Sequence, residues 1–241
     1  MIEDGGKRFW NRYYLERFWA MATRLKCFQD MNEQIFSHIV PDSKAIVLEQ
    51  GCGVGRNIPL ILDSMGIDEL SGGKVHAVDF SHEALDLAKE KLSNPVNVVF
   101  HKGNMSQLSF ADETFNAVFD IFAGTYMPIK GWKLGVIETF RVMKPGGRAY
   151  FLYFIHGRNF GSLFKKQVID EFFHNPAGLY WAMHLKLVRG LNVWDKFIAN
   201  GDVVYPEWEE LLDIIKFSGG IVEVAEESFL GACIFVRAIK S

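Results

Sequence analysis

The short apolar run Ala45 to Glu49 passes into the turn Gly51-Cys52-Gly53-Val54-Gly55, and Asn57-Ile58-Pro59-Leu60-Ile61-Leu62 then opens a helix. Strand, glycine turn and helix in that order place backbone N–H groups and a helix N-terminus at the carboxyl edge of a sheet, where doubly wound folds bind ligands. The same alternation continues downstream. Val75 to Asp79 reads as a second strand, Ser81 to Leu92 as an amphipathic helix capped by Ser81, and Asn97 to His101 as a third strand. Thr114 to Phe122 follows as a fourth strand. Trp132 to Met143 is a helix stopped by Lys144-Pro145-Gly146-Gly147, and Arg148 to Phe154 a fifth strand. A helix from Pro206 or Glu207 to Phe217 and strands at Ile221–Ala225 and Gly231–Ala238 complete the pattern. Alternating strands and helices of this kind predict an α/β, doubly wound, mostly parallel sheet.

Composition narrows the class. With 241 residues, 49% hydrophobic and 23% charged, the chain is read as a single domain with an ordinary buried core. The 26 basic against 29 acidic residues give no general electrostatic attraction to nucleic acid. Cys27, Cys52 and Cys233 lie far apart, so neither a disulfide framework nor a cysteine zinc site is expected and no metal is assigned. Together with the lack of a spanning apolar run or a signal-like start, this reads as a cytoplasmic protein. The segment 155–205 is too long for a plain connection. It is read as a cap or accessory insertion, and residues 151–208 carry 13 of the chain's aromatic residues.

The glycine turn is G-x-G-x-G, with Arg56 where a dinucleotide fingerprint would need its third glycine. Three glycines can also build a tight turn and nothing more. Two acids add meaning. Asp79 ends the next strand at a place where a carboxylate would accept both hydroxyls of a ribose, although it also suits the N-terminal end of the following helix. Glu49 ends an apolar strand and is expensive to bury without a partner, which a ligand ammonium would supply.

Five motifs in order resemble the class I S-adenosylmethionine-dependent methyltransferases, and within them the small-molecule branch called type 11. Val47-Leu48-Glu49-Gln50-Gly51-Cys52-Gly53-Val54-Gly55 is similar to the family's acid-x-G-x-G-x-G loop, and His76-Ala77-Val78-Asp79-Phe80-Ser81 to its ribose segment. Gly103-Asn104-Met105 stands where G-D-A is usual. Leu108 to Val118 is similar to L-P-F-x-D-x-x-F-D-x-V, and Arg141-Val142-Met143-Lys144-Pro145-Gly146-Gly147 to R-V-L-K-P-G-G. The resemblance implies a Rossmann-like seven-stranded sheet with its last strand antiparallel. It divides the chain into an N-terminal helical lid (1–40), a cofactor-binding core (44–154), an aromatic cap (155–205) and a C-terminal helix with two strands (206–241). It implies S-adenosyl-L-methionine as cofactor, held by Tyr14, Glu49, Gly51, Cys52, Gly53, Gly55, Asp79, Phe80, Asn104, Met105 and Asp120. Asn104 departs from the usual acid but keeps an amide oxygen able to accept from an adenine amino group. Asn116 replaces another frequent Asp, with a structural role expected.

By the same resemblance the chemistry is methyl transfer to a nucleophile, which demands mostly alignment. Asp120, after the fourth strand's apolar stretch, is the candidate base or acceptor-orienting group. Tyr126 and His156 are the further catalytic candidates. The expected acceptor is a small organic molecule, apolar or aromatic, held under the cap. Equally, the aromatic cap suits a homodimer interface. The rival readings are an RNA, nucleobase or protein methyltransferase, and a cofactor-binding module without turnover. No [DN]-P-P-[YFW] motif follows the fourth strand, where the chain has Asp120-Ile121-Phe122-Ala123, and binding to nucleic acid is not expected.

Overall fold

The computed structural model describes residues 26–155 and 206–241. Its centre is a seven-stranded sheet in the order β3-β2-β1-β4-β5-β7-β6. The strands are β1 (Ile46–Gln50), β2 (Lys74–Asp79), β3 (Val98–Lys102), β4 (Phe115–Ile121), β5 (Met143–Phe154), β6 (Gly220–Ser228) and β7 (Cys233–Lys240). Pairing is parallel from β3 through β5, and β7 runs antiparallel to both β5 and β6. This is the expected sheet, its final strand reversed. The helices are α1 (Lys26–Ser37), α2 (Ile58–Met65), α3 (His82–Lys91), α4 (Ile129–Val142) and α5 (Trp208–Phe217).

Strand alternation divides the interior into two layers. Val47, Ala77, Phe119, Tyr150 and Leu152 face one side, where Phe28, Met31 and Ile35 of α1 and Ile58 and Ile61 of α2 cover them. Leu48, Val118, Phe151 and Tyr153 face the other, against Trp132, Val136 and Phe140 of α4 and Leu211 and Ile215 of α5. Removing either layer from water is the main favourable term in folding. A polar clamp fixes α1. Gln34 donates to Glu226 Oε1 and accepts from Ser228 Oγ, and the His38 ring meets the same Glu226 oxygen at 2.8 Å.

Two boundaries differ from the sequence expectation. Helix α4 begins at Ile129, behind Pro128, rather than at Trp132. More informative is β5, which starts at Met143 rather than Arg148 and takes in the Lys144-Pro145-Gly146-Gly147 segment read as the stop of the preceding helix. An irregularity in the β4–β5 register, between Phe115 and Ala117, absorbs the turn, and Gly146 adopts φ 75°. Asn116 fills the irregularity, its Oδ1 accepting from Ile46 N–H (3.0 Å) and Lys144 Nζ (3.2 Å). That is the structural role expected for this position.

Arg141 explains why the segment before β4 and the end of α4 both carry marked patterns. Its guanidinium reaches Glu138, Asp112 and the carbonyls of Leu108 and Phe110, tying residues 108–112 to the helix. At the opposite end of the sheet, β6 and β7 join through Phe229 (φ 48°), Leu230 (φ 60°) and Gly231 (φ 74°). There the Phe229 ring meets Phe28 of α1 at 4.6 Å.

Candidate cofactor site at the carboxyl edge

The glycine turn closes β1 against β2. Cys52 N–H donates to the Val78 carbonyl (2.9 Å), and Gly53 N–H donates to Asp79 Oδ2 (2.9 Å). The other Asp79 oxygen accepts from Ser81 N–H (2.8 Å), while Ser81 Oγ caps α3 by accepting from Ala84 N–H. Asp79 thus joins the turn to the next helix, and at 7% exposure it keeps one edge toward the surface. Burial pushes its carboxyl above the ordinary range, opposed by the Ser81, Gly53 and Phe80 amides.

Glu49 lies one residue before the end of β1 and is 1% exposed. Its Oε1 accepts from Asn57 Nδ2 (3.0 Å), but its buried Oε2 has no hydrogen-bond partner among the described residues. Burial pushes its carboxyl up to about 8, against the pull of Asn57 and Arg56. An acceptor this deep with an unspent oxygen is a costly arrangement for a protein standing alone.

The turn's glycines have distinct reasons. Gly51, at φ 62°, has Ala123 pressed against it: a Cβ there would fall 2.2 Å from Ala123 Cβ. Gly53, at φ 53°, has nothing within 4 Å of the corresponding position. The first permits contact between two loops; the second leaves open space above the backbone. Gly55 packs on Leu92 and Ala88 of α3 and its following turn.

Phe80, immediately after Asp79, is 51% exposed, a large apolar side chain left at the edge. Met105 is buried behind Asn104, which is itself exposed. The Asn104 oxygen that was expected to serve an adenine amino group accepts instead from Ser106 N–H (3.0 Å) and Ser106 Oγ (2.9 Å). A short polar residue two positions on makes this local turn, and both lone pairs of the amide oxygen are engaged in it.

The structure brings Glu49, Gly51, Cys52, Gly53, Gly55 and Asp79 together around one turn. Tyr126, in the 3₁₀ turn Gly124–Tyr126 after β4, lies in the electrostatic field of Arg56. Asp120 is placed differently. Glu49 is level with Phe119 in the β1–β4 register, so Asp120 projects to the opposite face. It accepts from Gly124 N–H (3.0 Å) and from Tyr153 Oη in a short hydrogen bond. Tyr14 and His156, with the greater part of the lid and nearly all of the cap, lie outside the described residues.

Sequence reasoning missed Asn57, Ala123 and Tyr153. Tyr153 is explained by register: Asp120 pairs with Phe151, and the residue two further along β5 shares that face, a pairing of strands that the sequence does not specify. Ala123 had no readable signal, since its importance arises only from its approach to Gly51.

These features fit S-adenosylmethionine. The unspent oxygen of Glu49 suits the ammonium of its amino-acid end, the space over Gly53 admits its body, and Asp79 stands one strand further along for a ribose. The comparisons agree. Residues 47–147 match the family model described as a methyltransferase domain. Demethylmenaquinone methyltransferase of Chlorobaculum parvum is 32% identical over 173 residues, covering 68% of this chain and 67% of the relative. Sterol 24-C-methyltransferase of Gibberella zeae is 39% identical over 104 residues, 42% of this chain but only 25% of its own length. A crystal structure of a SAM-dependent methyltransferase from Aquifex aeolicus shares the fold, with TM-score 0.59 and 20% identity over 98% of this chain and 96% of that one. The chain belongs to the class I S-adenosylmethionine-dependent methyltransferases.

Proposed function

We propose that the protein transfers the methyl group to a small organic acceptor with an apolar or aromatic body. The observation that carries this reading is the concentration of buried aromatic rings at the carboxyl end of the sheet. Phe122, after β4, stacks on Phe154 at the end of β5 with ring centroids 4.7 Å apart, and Phe28 meets Phe229 in the neighbouring hairpin. An aromatic-rich, apolar edge suits a ring or chain better than a phosphate backbone, which calls for clustered cations. Two relatives whose names specify a quinone precursor and a sterol support the same acceptor class.

In this reading Glu49 holds the ammonium of the cofactor, Asp79 accepts from its ribose hydroxyls, and the backbone of Gly51 to Gly55 lies beneath it. Phe80 and Met105 flank the base. Asn104 takes part only by exchanging its bonds to Ser106. When bound, S-adenosylmethionine supplies the methyl group on a sulfonium whose charge is lost on transfer. Nearby anions would oppose that loss, and aromatic faces stabilise the cation without quenching it. Alignment of the acceptor at near-attack distance is then the protein's main contribution.

Radiolabelled S-adenosylmethionine tests the assignment. The protein is incubated with quinols, phenols, sterols and, separately, bulk tRNA. Label entering one of the small apolar acceptors is the expected result, and label entering only the tRNA would sink this reading.

A further inference from the structure

We propose that Asp120 and Tyr153 form a buried positioning pair that sets the loop after β4 against the glycine turn, and so governs cofactor affinity without exchanging a proton with the acceptor. Both oxygens of Asp120 are already engaged within the protein, one by Gly124 N–H and one by Tyr153 Oη, at 1% exposure. An acceptor proton would have to reach a carboxylate that the packed core closes off on all sides. The pair sits beneath α4, on the face of the sheet away from Glu49, with the Trp132 ring edge-on to Tyr153 at 6.1 Å.

The loop it anchors has little room to move. A Cβ at Gly124 would come within 2.7 Å of Tyr153 and 2.8 Å of Trp132. Phe122 N–H donates to the Leu152 carbonyl (2.8 Å), and Tyr126 N–H to the Ala123 carbonyl (3.1 Å). Between Phe122 and Tyr126 lie Ala123, Gly124 and Thr125, and Ala123 is the one pressed against Gly51. Tyr153 therefore reaches the cofactor turn through three contacts and one peptide link: Tyr153 to Asp120, Asp120 to Gly124, Gly124 to its chain neighbour Ala123, and Ala123 to Gly51. Together they make the kind of continuous physical connection that coupling between two places requires.

The test uses S-adenosylhomocysteine binding by calorimetry together with amide hydrogen exchange, so it needs no acceptor. Asp120→Ala and Tyr153→Phe should each weaken binding about tenfold, the scale of one lost hydrogen bond to a charged group. Exchange should quicken at residues 122–127 and 51–55 and stay unchanged at β3. Asp120→Asn keeps an oxygen for Gly124 and offers an N–H to the Tyr153 oxygen, so it should stay within about threefold of wild type. The double variant Asp120→Ala/Tyr153→Phe should be no worse than Asp120→Ala alone, because that substitution already removes the Tyr153 contact. Ala123→Gly touches no buried polar atom and should weaken binding in the same direction, which keeps the test decisive if a core variant fails to fold. Affinities within twofold of wild type in folded Asp120→Ala, Tyr153→Phe and Ala123→Gly proteins would overturn the proposal. So would an Asp120→Asn protein as impaired as Asp120→Ala.

Discussion

Glu49 and Asp120 are two carboxylates at the ends of adjacent parallel strands, each 1% exposed, and their surroundings differ in one respect. Among the described residues Asp120 has partners for both oxygens, and Glu49 has a partner for one. Burial raises both, Asp120 to about 6 and Glu49 to about 8. The larger rise belongs to the group with the unspent oxygen. At this depth, an oxygen left without a donor marks the acid with capacity for a ligand, whereas Asp120 is tied into the scaffold.

The largest expected effect tests that distinction through pH. In the cofactor-free protein Glu49 is mostly protonated below about 8, and it must ionise to hold an ammonium. Affinity for S-adenosylmethionine should therefore rise about tenfold per pH unit well below 8, roughly 50-fold between pH 6 and 8, and level off above that. Calorimetry at several pH values reads the slope, and buffers of different ionisation enthalpy should reveal about one proton released per cofactor bound near neutrality. A flat profile would separate Glu49 from the cofactor.

Stability carries the opposite sign. Because the folded pKa of Glu49 is raised from 4.5, its stabilising contribution is complete below about 4.5 and is lost as pH rises through about 8. For Asp120 the corresponding window runs from 3.8 to about 6. Glu49→Gln should thus flatten the loss of stability of the cofactor-free protein between pH 6 and 8, as followed by urea unfolding, and abolish the pH slope of binding. If wild type and variant unfold in parallel across that range, the burial cost has been misplaced.

Asp79→Ala should weaken cofactor binding by about 1.5–3 kcal/mol, the worth of hydrogen bonds to a charged acceptor. Unchanged affinity would refute the ribose assignment. A smaller effect on function, and none on binding, is expected at Arg141, whose bonds to Glu138, Asp112 and two carbonyls all lie within the scaffold. Arg141→Ala should cost about 2–3 kcal/mol in urea unfolding. Arg141→Lys should recover little, lacking the planar fork. Loss of cofactor affinity in either variant would blur the line between scaffold and site.

The sequence carried most of the frame because its signals are local. Ser81 caps α3 where the pattern put it, Asp79 ends β2, and the glycine turn lies between β1 and α2 as its residues required. The misses come from contacts between distant segments or from small side chains whose bonding depends on a neighbour. Asn104 turned its oxygen to Ser106, two residues away, because a short amide in a turn finds nearby backbone first. The β5 start lies earlier because Met143 pairs with Phe115 of another strand, and residues 144–147 bulge out before pairing resumes at Arg148. Asp120 was legible as a strand-end acid but not as a satisfied one. That fact required Tyr153, 33 residues further along the chain.

The hairpin between β6 and β7 has an energetic consequence of its own. Phe229 and Leu230 hold the left-handed backbone conformation that L-residues adopt at a cost of roughly 1–2 kcal/mol each. Glycine or asparagine would form the same bend with less strain. At position 229, however, either would remove the ring that meets Phe28. The corner is therefore a loaded spring: the chain accepts a distorted backbone to bring an aromatic face to the edge where α1 begins. Leu230, 46% exposed, is the place where that tension can be released without disturbing the ring.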